Sequence, residues 1–103
     1  MSTQPIAASR YWFAISPDGE EIDVEISVGV PTPTEHGEWC SVASLGRLEL
    51  KTYSILGTDS WQAIHLAMKF VSALLGHFAE SGWRFYWKRG GEDATPEVLA
   101  GTS

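Results

Sequence analysis

The chain has very little cysteine and no long apolar segment. Cys40 is its one cysteine in 103 residues, so no disulfide can form within the chain. No apolar run approaches the roughly 20 residues that cross a bilayer. Residues 1–9 lack the basic start and apolar block of a signal peptide. We therefore expect a cytoplasmic protein without a disulfide framework and without a membrane as partner.

Positive charge is also scarce. The formal net charge is −6, from 13 acidic and 7 basic residues. Such a balance disfavours nucleic acids and anionic lipid surfaces as partners. Residues 1–50 carry eight acids and two bases, whereas residues 51–103 carry five of each. The excess of negative charge therefore belongs to the first half of the chain, where it would attract a basic partner.

The composition indicates one globular domain. Hydrophobic residues make up 44% of the chain and charged residues 19%, as in an ordinary folded protein. A chain of this length buries enough apolar surface to fold without a metal or a disulfide. The pattern predicts a disordered lead-in over residues 1–9, a single domain over 10–88 and a flexible tail over 89–103.

A hairpin is predicted near the start of the domain. Residues 10–16 are rich in aromatic and β-branched side chains, and Ser16-Pro17-Asp18-Gly19-Glu20 follows them as a turn, in which proline presets φ, aspartate caps and glycine takes the left-handed position. Residues 22–30 then alternate strictly between apolar and polar side chains. This alternation predicts a sheet with one covered face and one exposed to water.

The rest of the domain combines strands with one helix. Residues 38–45 and 48–55 suit two more strands, and residues 83–88 a short last strand. Between them, apolar residues recur at three- and four-residue spacing from an N-cap at Asp59 to a stop at Gly82. The predicted fold is α+β, a four- to five-stranded mainly antiparallel sheet in the order β-β-β-β-α-β, with one long amphipathic helix packed on one face. The last strand can pair with either the first or the fourth.

Two short motifs give a family resemblance. They are Trp39-Cys40 and Gly57-x-Asp59-x-x-Gln62-Ala63, the second leading into an Ala/Leu-rich helix. Over residues 10–88 the chain resembles an uncharacterised bacterial domain family, a domain of unknown function. The resemblance implies a small bacterial α+β domain, without implying a reaction or a partner.

No catalytic, cofactor or metal signature stands out. Cys40 with His36 is the minimum for nucleophilic catalysis, but no third group orients the pair, and cysteine usually packs as a small hydrophobe. His65 and His77 are about 18 Å apart along the predicted helix, which is too far to share a metal. The loop at Gly57 places an acid at the helix start, which repels phosphate. We therefore predict no catalytic residues, no cofactor and no metal site, and an enzyme stays only among the alternatives below.

The five tryptophans and the acids of the second strand suggest a binding face. If Tyr11, Phe13 and Ile15 face the helix, alternation sends Trp12 outward. The same face then carries Asp23 and Glu25. Tryptophan is enriched at interfaces, and neighbouring acids steer a basic partner. Trp12, Asp23 and Glu25 are therefore the predicted partner-binding residues.

The leading hypothesis is a non-catalytic protein-interaction module. Its concrete form is an acidic inhibitor that covers a basic effector through the open sheet face, as immunity proteins do for nuclease toxins. The first alternative is a small-molecule-binding domain or enzyme with an aromatic pocket between helix and sheet. The second is a structural domain that assembles with copies of itself.

Overall fold

One antiparallel sheet and one long helix form the described part of the chain, residues 5–96 of this computed structural model. The elements in chain order are β1 (Ile6–Ile15), β2 (Glu21–Gly29), β3 (Thr32–Pro33), β4 (Trp39–Ser44), β5 (Tyr53–Gly57), α1 (Ser60–Glu80), β6 (Arg84–Tyr86) and β7 (Asp93–Ala94). The predicted α+β class, with a mainly antiparallel sheet and one long helix, is confirmed. The sheet is larger than predicted because β3 and β7, of two residues each, extend it.

The strand order is β3-β4-β2-β1-β6-β7, and β5 also pairs with β4. Every strand pair within residues 5–96 is antiparallel. The sequence left two neighbours open for the last strand, and β6 pairs with β1, placing Arg84 opposite Ile15 and Tyr86 opposite Phe13. The helix α1 thus connects β5, beside β4, to β6 and β7 at the opposite edge of the sheet.

The turn between β1 and β2 has the predicted geometry. The Gly19 N–H donates to the Ser16 carbonyl at 2.9 Å, and Gly19 has φ of 89°. Asp18 was expected to cap this turn, but Ser16 does so: its Oγ accepts the N–H groups of Asp18 at 3.2 Å and Glu20 at 2.9 Å. The turn fixes the register, with Ile15 opposite Glu21 and every second pair on the same face.

The start of α1 is capped as the sequence predicts. The Gln62 N–H donates to Asp59 Oδ1 at 2.8 Å, and Gln62 Oε1 accepts the N–H of Thr58 at 2.7 Å. Gly57 precedes the cap and is buried. A Cβ there would lie 2.5 Å from the Ala63 backbone nitrogen, so only glycine lets β5 turn this tightly into the helix.

The end of α1 is a Schellman motif. Gly82 has φ of 107°, its N–H donates to the Ala79 carbonyl, and the Trp83 N–H donates to the Phe78 carbonyl, both within 3.1 Å. The Phe78 and Trp83 rings then meet edge to face, with centroids 6.0 Å apart. A Cβ on Gly82 would be 3.1 Å from Pro17 Cγ, so the helix ends against the β1–β2 turn.

The core lies between α1 and the sheet. The helix buries a stripe of small and then larger residues at four-residue spacing, Ala63, Ala67, Val71 and Leu75. The sheet contributes Trp12, Ala14, Val24, Ile26, Val28, Ala43, Leu45, Phe85 and Ala94. Burying an aliphatic side chain of this kind contributes about 1.5–3 kcal/mol, so this layer supplies most of the stability.

The domain extends farther at both ends than predicted. β1 begins at Ile6, inside the predicted lead-in, because Ile6 pairs with Gly29. β7 lies inside the predicted tail, where Ala94 pairs with Phe85 and is only 6% exposed. The remaining parts of the two predicted flexible segments, residues 1–4 and 97–103, lie outside the described residues.

One predicted strand starts later than expected. Residues 48–55 were assigned to a strand, but residues Gly46–Leu48 form a 3₁₀ turn and β5 begins at Tyr53. Gly46 has φ of 59° and lies against β2, since a Cβ there would be 2.7 Å from the Glu25 carbonyl oxygen. β4 pairs with β2 only at Ser27 and Val28. The turn at Gly46 covers the next part of the same edge of β2, at Glu25.

Candidate protein-binding face

Trp12 lies on the opposite side of the sheet from the one predicted. It is 2% exposed and belongs to the core under α1. Its ring centroid is 5.7 Å from that of Phe85 and 5.8 Å from that of Trp87. The outward placement of Trp12 is therefore wrong, and this side chain has almost no surface to offer a partner.

The register of the hairpin explains the correction. Trp12 is directly opposite Val24, and directly opposed residues share a sheet face. Val24 belongs to the buried cluster that includes Val71 and Leu75 of α1, so Val24 faces the helix and Trp12 must as well. The length of the turn determines this register. Because the turn brings Ser16 opposite Glu20, even-numbered residues of β1 lie opposite even-numbered residues of β2. The sequence interpretation instead took Tyr11, Phe13 and Ile15 as the residues that face the helix.

Tyr11 occupies the exposed position that was predicted for Trp12. We call the sheet face turned away from α1 the open face, and Tyr11, Phe13, Asp23 and Glu25 form its centre. Tyr11 is 68% exposed and is opposite Glu25, while Phe13 is opposite Asp23. The two acids thus lie on the uncovered face, as expected, and their large neighbour there is a tyrosine.

Phe13 is covered by an arginine from the end of the domain. It is 3% exposed although it lies on the open face. The Arg89 guanidinium carbon is 4.5 Å from the centre of the Phe13 ring, and the guanidinium pairs with the Glu21 carboxylate. Tyr86 lies beside the ring, with centroids 6.3 Å apart. An arginine thus binds here by stacking on an aromatic ring and pairing with a carboxylate.

The Tyr11 position repeats this arrangement two residues along each strand. Glu21 lies diagonally across from Phe13, because it is two residues from Asp23, the residue directly opposite. Asp23 lies diagonally across from Tyr11 in the same way, two residues from Glu25. Glu25, directly opposite Tyr11, adds a second carboxylate. Within residues 5–96 no arginine or lysine lies over the Tyr11 ring. On the open face, Phe13 and Glu21 thus hold an arginine, and Tyr11 and Asp23 have the same diagonal placement in the register without one among the described residues.

The electrostatics of the open face are dominated by the acids of β2. A hydrogen bond to Glu25, the charge of that carboxylate and slight desolvation raise the pKa of Tyr11 above its ordinary value. Asp23 and Glu21 extend the negative strip along β2, and Arg84 is an exposed base at the β6 side. A guanidinium placed over Tyr11 would meet two carboxylates.

The residues considered for catalysis or metal binding do not form a common site among the described residues. Cys40 is half-buried opposite Leu56, and His36 lies in the exposed turn before β4. No hydrogen bond joins these two residues within the described chain. No group of three or more histidine, cysteine or acidic side chains in residues 5–96 is arranged to hold a metal ion.

Trp61 is exposed, although the sequence predicted it to be buried. The sequence suggested that Trp61 and Trp39 both pack in the core. Trp39 is half-buried at the start of β4, but Trp61 is 81% exposed in the first turn of α1. The buried stripe begins at Ala63, two residues later, which turns Trp61 away from the sheet.

The chain is thus an α+β domain whose helix covers one face of an antiparallel sheet. It belongs to the family described as Domain of unknown function (DUF6968), whose sequence profile matches residues 8–96. The resemblance to a domain family of unknown function is confirmed. No curated protein and no solved structure matches the chain. Among the described residues, no helix has the length and apolar character to cross a membrane.

Proposed function

We propose that this chain is a non-catalytic protein-interaction module that binds an arginine of a basic partner on its open face. The observation that carries the proposal is the position of Arg89, stacked on Phe13 and paired with Glu21. Tyr11 and Asp23 have the same diagonal placement in the hairpin register, and Tyr11 is 68% exposed. The partner would supply the guanidinium that the second position lacks.

The chemistry favours arginine over lysine. A guanidinium is planar, stacks on an aromatic ring and pairs with a carboxylate through two parallel N–H groups, whereas an ammonium is a compact and strongly hydrated charge. Glu25 and Asp23 border the Tyr11 ring on β2. The net charge of −6 steers a basic partner toward the chain at long range.

A concrete form of the proposal is an acidic inhibitor of the bacterial immunity type that covers a basic effector in the cytoplasm. Covering requires an exposed and pre-formed surface, because ordering a loop on binding lowers the affinity. The open face lies on paired strands, and its acids and Tyr11 come from one hairpin with a tight turn. In this form Tyr11, Asp23 and Glu25 contact the partner, while Trp12 supports the strand from below.

An arginine peptide tests the proposal directly. The ¹⁵N-labelled full chain is titrated with a peptide of alternating arginine and glycine, and with matched peptides carrying lysine or citrulline. We expect saturable amide shifts centred on Tyr11, Asp23 and Glu25, strongest for arginine. Tyr11→Ala should weaken binding about fivefold, because an exposed cation–π contact contributes roughly 1 kcal/mol.

Matched variants separate the site from general charge. Asp23→Asn removes a carboxylate from the open face, and Glu35→Gln removes one from the exposed turn before β4. Equal weakening by both variants would mean that only net charge attracts the peptide, and the proposed site would be wrong. Light scattering of the free chain tests the alternative of self-assembly, in which a second copy covers the open face.

A further inference from the structure

A groove lies beside α1 on the helix side of the sheet. Its volume is about 140 Å³, and its floor is formed by residues 8–10 of β1 and 26–28 of β2. Met68 and Val71 of α1 form the wall. Apart from Ser9, Ser27 and Arg10, all the lining side chains are aliphatic or thioether. The aromatic pocket considered from the sequence is thus replaced by an aliphatic groove with one cation.

Arg10 is the unusual member of this lining. It is half-buried, and its guanidinium carbon lies 5.0 Å from the centre of the Trp87 ring. The ion pairs among residues 5–96 are Arg89 with Glu21 and His77 with Glu80, so Arg10 has no carboxylate partner there. In a chain of net charge −6, an arginine that lies against a ring and has no acidic partner among the described residues offers a position for an anion.

A second hydrogen-bond donor without an acceptor lies close by. Trp12 is the next residue of β1 that faces the helix side, and its ring centroid is 5.8 Å from that of Trp87. Its buried Nε1 has no hydrogen-bond partner among the described residues. A buried indole N–H normally has one.

We propose that the groove binds a small aliphatic monocarboxylate. Its oxygens would pair with the Arg10 guanidinium, and its alkyl chain would lie on Ile26, Val28, Met68 and Val71. An apolar cavity of roughly 150 Å³ holds a six-carbon ring, so the groove suits a chain of similar size. The site is on the opposite side of the sheet from the open face and does not depend on the proposed partner.

The lining selects among anions by charge and shape. One arginine balances one negative charge, and the aliphatic wall gains nothing from a phosphate, which stays strongly hydrated. An alkyl chain gains by leaving water, whereas a cationic head group is repelled by Arg10. The carboxylate and the alkyl chain are therefore both required.

The test uses hexanoate as the probe and compares it with hexan-1-ol and hexylamine. Amide shifts of the ¹⁵N-labelled full chain and the Met68 methyl carbon shift are followed during each titration. We expect saturable shifts at Arg10, Ile26 and Met68 with hexanoate, and a dissociation constant on the order of 1 mM for so small a ligand. Hexan-1-ol should bind about tenfold more weakly, because it lacks the charge-assisted hydrogen bonds, and hexylamine should not bind.

Two variants and one control complete the test. Arg10→Gln should weaken hexanoate about tenfold, and Arg10→Lys should weaken it less, with thermal unfolding used to show that both are folded. Arg47→Gln, in the exposed 3₁₀ turn, should leave hexanoate binding unchanged. Equal affinity for hexanoate and hexan-1-ol, unchanged binding by folded Arg10→Gln, or no saturable shift up to about 50 mM would each overturn the proposal.

Discussion

The two faces of the sheet use their large side chains in opposite ways. On the helix side, Trp12 is 2% exposed within a continuous apolar layer, and its role is to fill volume. On the open face, Tyr11 is 68% exposed, and Phe13 lies under the charged side chain of Arg89 with Tyr86 beside it. Adjacent residues of β1 therefore have different environments. Trp12 is packed among apolar side chains, whereas Tyr11 and Phe13 lie beside charged side chains.

The difference shows which face can change without loss of the fold. A packed layer loses free energy whenever a side chain changes volume, whereas most exposed substitutions change stability by less than about 0.5 kcal/mol. The open face is thus free to be shaped by a partner, and the helix side is not. Three predictions measure how sharp this division is.

The largest contrast is expected between Trp12→Ala and Tyr11→Ala. Trp12→Ala should lower the free energy of unfolding by about 3–5 kcal/mol, because it leaves a cavity beside Phe85 and Trp87. Tyr11→Ala should lower it by less than about 0.5 kcal/mol. Urea unfolding followed by circular dichroism measures both values.

If Trp12→Ala does not fold, Trp12→Phe keeps an aromatic ring and also removes the unpartnered N–H. Its cost should be well below that of the alanine variant, since it removes a donor that has no acceptor in the described chain. A folded Trp12→Ala variant whose loss is as small as that of Tyr11→Ala would contradict the assignment of Trp12 to the packed layer.

An intermediate effect is expected where the open face is covered. Arg89→Ala should destabilise the domain by about 1 kcal/mol, because it exposes Phe13 and leaves Glu21 unpaired. The control is Arg84→Ala, an exposed arginine on the same face without an ion pair in the described chain, which should cost less than about 0.5 kcal/mol. Chemical denaturation of both variants gives the comparison.

The same variant bears on the proposed function. Once Arg89 is removed, the Phe13 and Glu21 position should accept the arginine peptide, so amide shifts should spread from Tyr11 to Phe13. Shifts that stay confined to Tyr11 would mean that the two positions are not equivalent.

The smallest effect is expected in the titration of Tyr11. Its pKa lies above the ordinary value of 10.0 because Glu25 favours the neutral phenol, so Glu25→Gln should lower the pKa toward that value. The folded state holds this proton more tightly than the unfolded state. The small stabilisation that results is present below about pH 10 and is lost as the pH rises through the raised pKa.

Ring-carbon shifts of ¹³C-labelled tyrosine follow this titration residue by residue. Tyr53 serves as the internal reference, because burial and then Glu49, not Glu25, raise its pKa. A Tyr11 pKa that does not respond to Glu25→Gln would show that the two side chains do not interact on the open face.

Local features of the fold could be predicted from the sequence. The turn at Pro17 and Gly19, the cap at Asp59 and the stop at Gly82 each depend on neighbours within a few residues. The alternation in β2 correctly placed Asp23 and Glu25 on the uncovered face. These features need no information about the rest of the chain.

Features that depend on distant partners could not be predicted. β7 has two residues and no pattern of its own, and it exists because Ala94 pairs with Phe85. Phe13 is covered by Arg89, which pairs with a residue 68 positions away. The face on which Trp12 lies could have been predicted, since the turn length determines it, but the sequence interpretation assumed that Tyr11 and Phe13 face the helix.

The turn between β1 and β2 also has a consequence for the gene. Because side chains alternate along a strand, inserting one codon into this turn would exchange the two surfaces of β1 and direct Tyr11 and Phe13 toward the helix. Inserting two codons would preserve the facing and only lengthen the turn. Related genes that keep this domain should therefore tolerate length changes in this turn in steps of two codons.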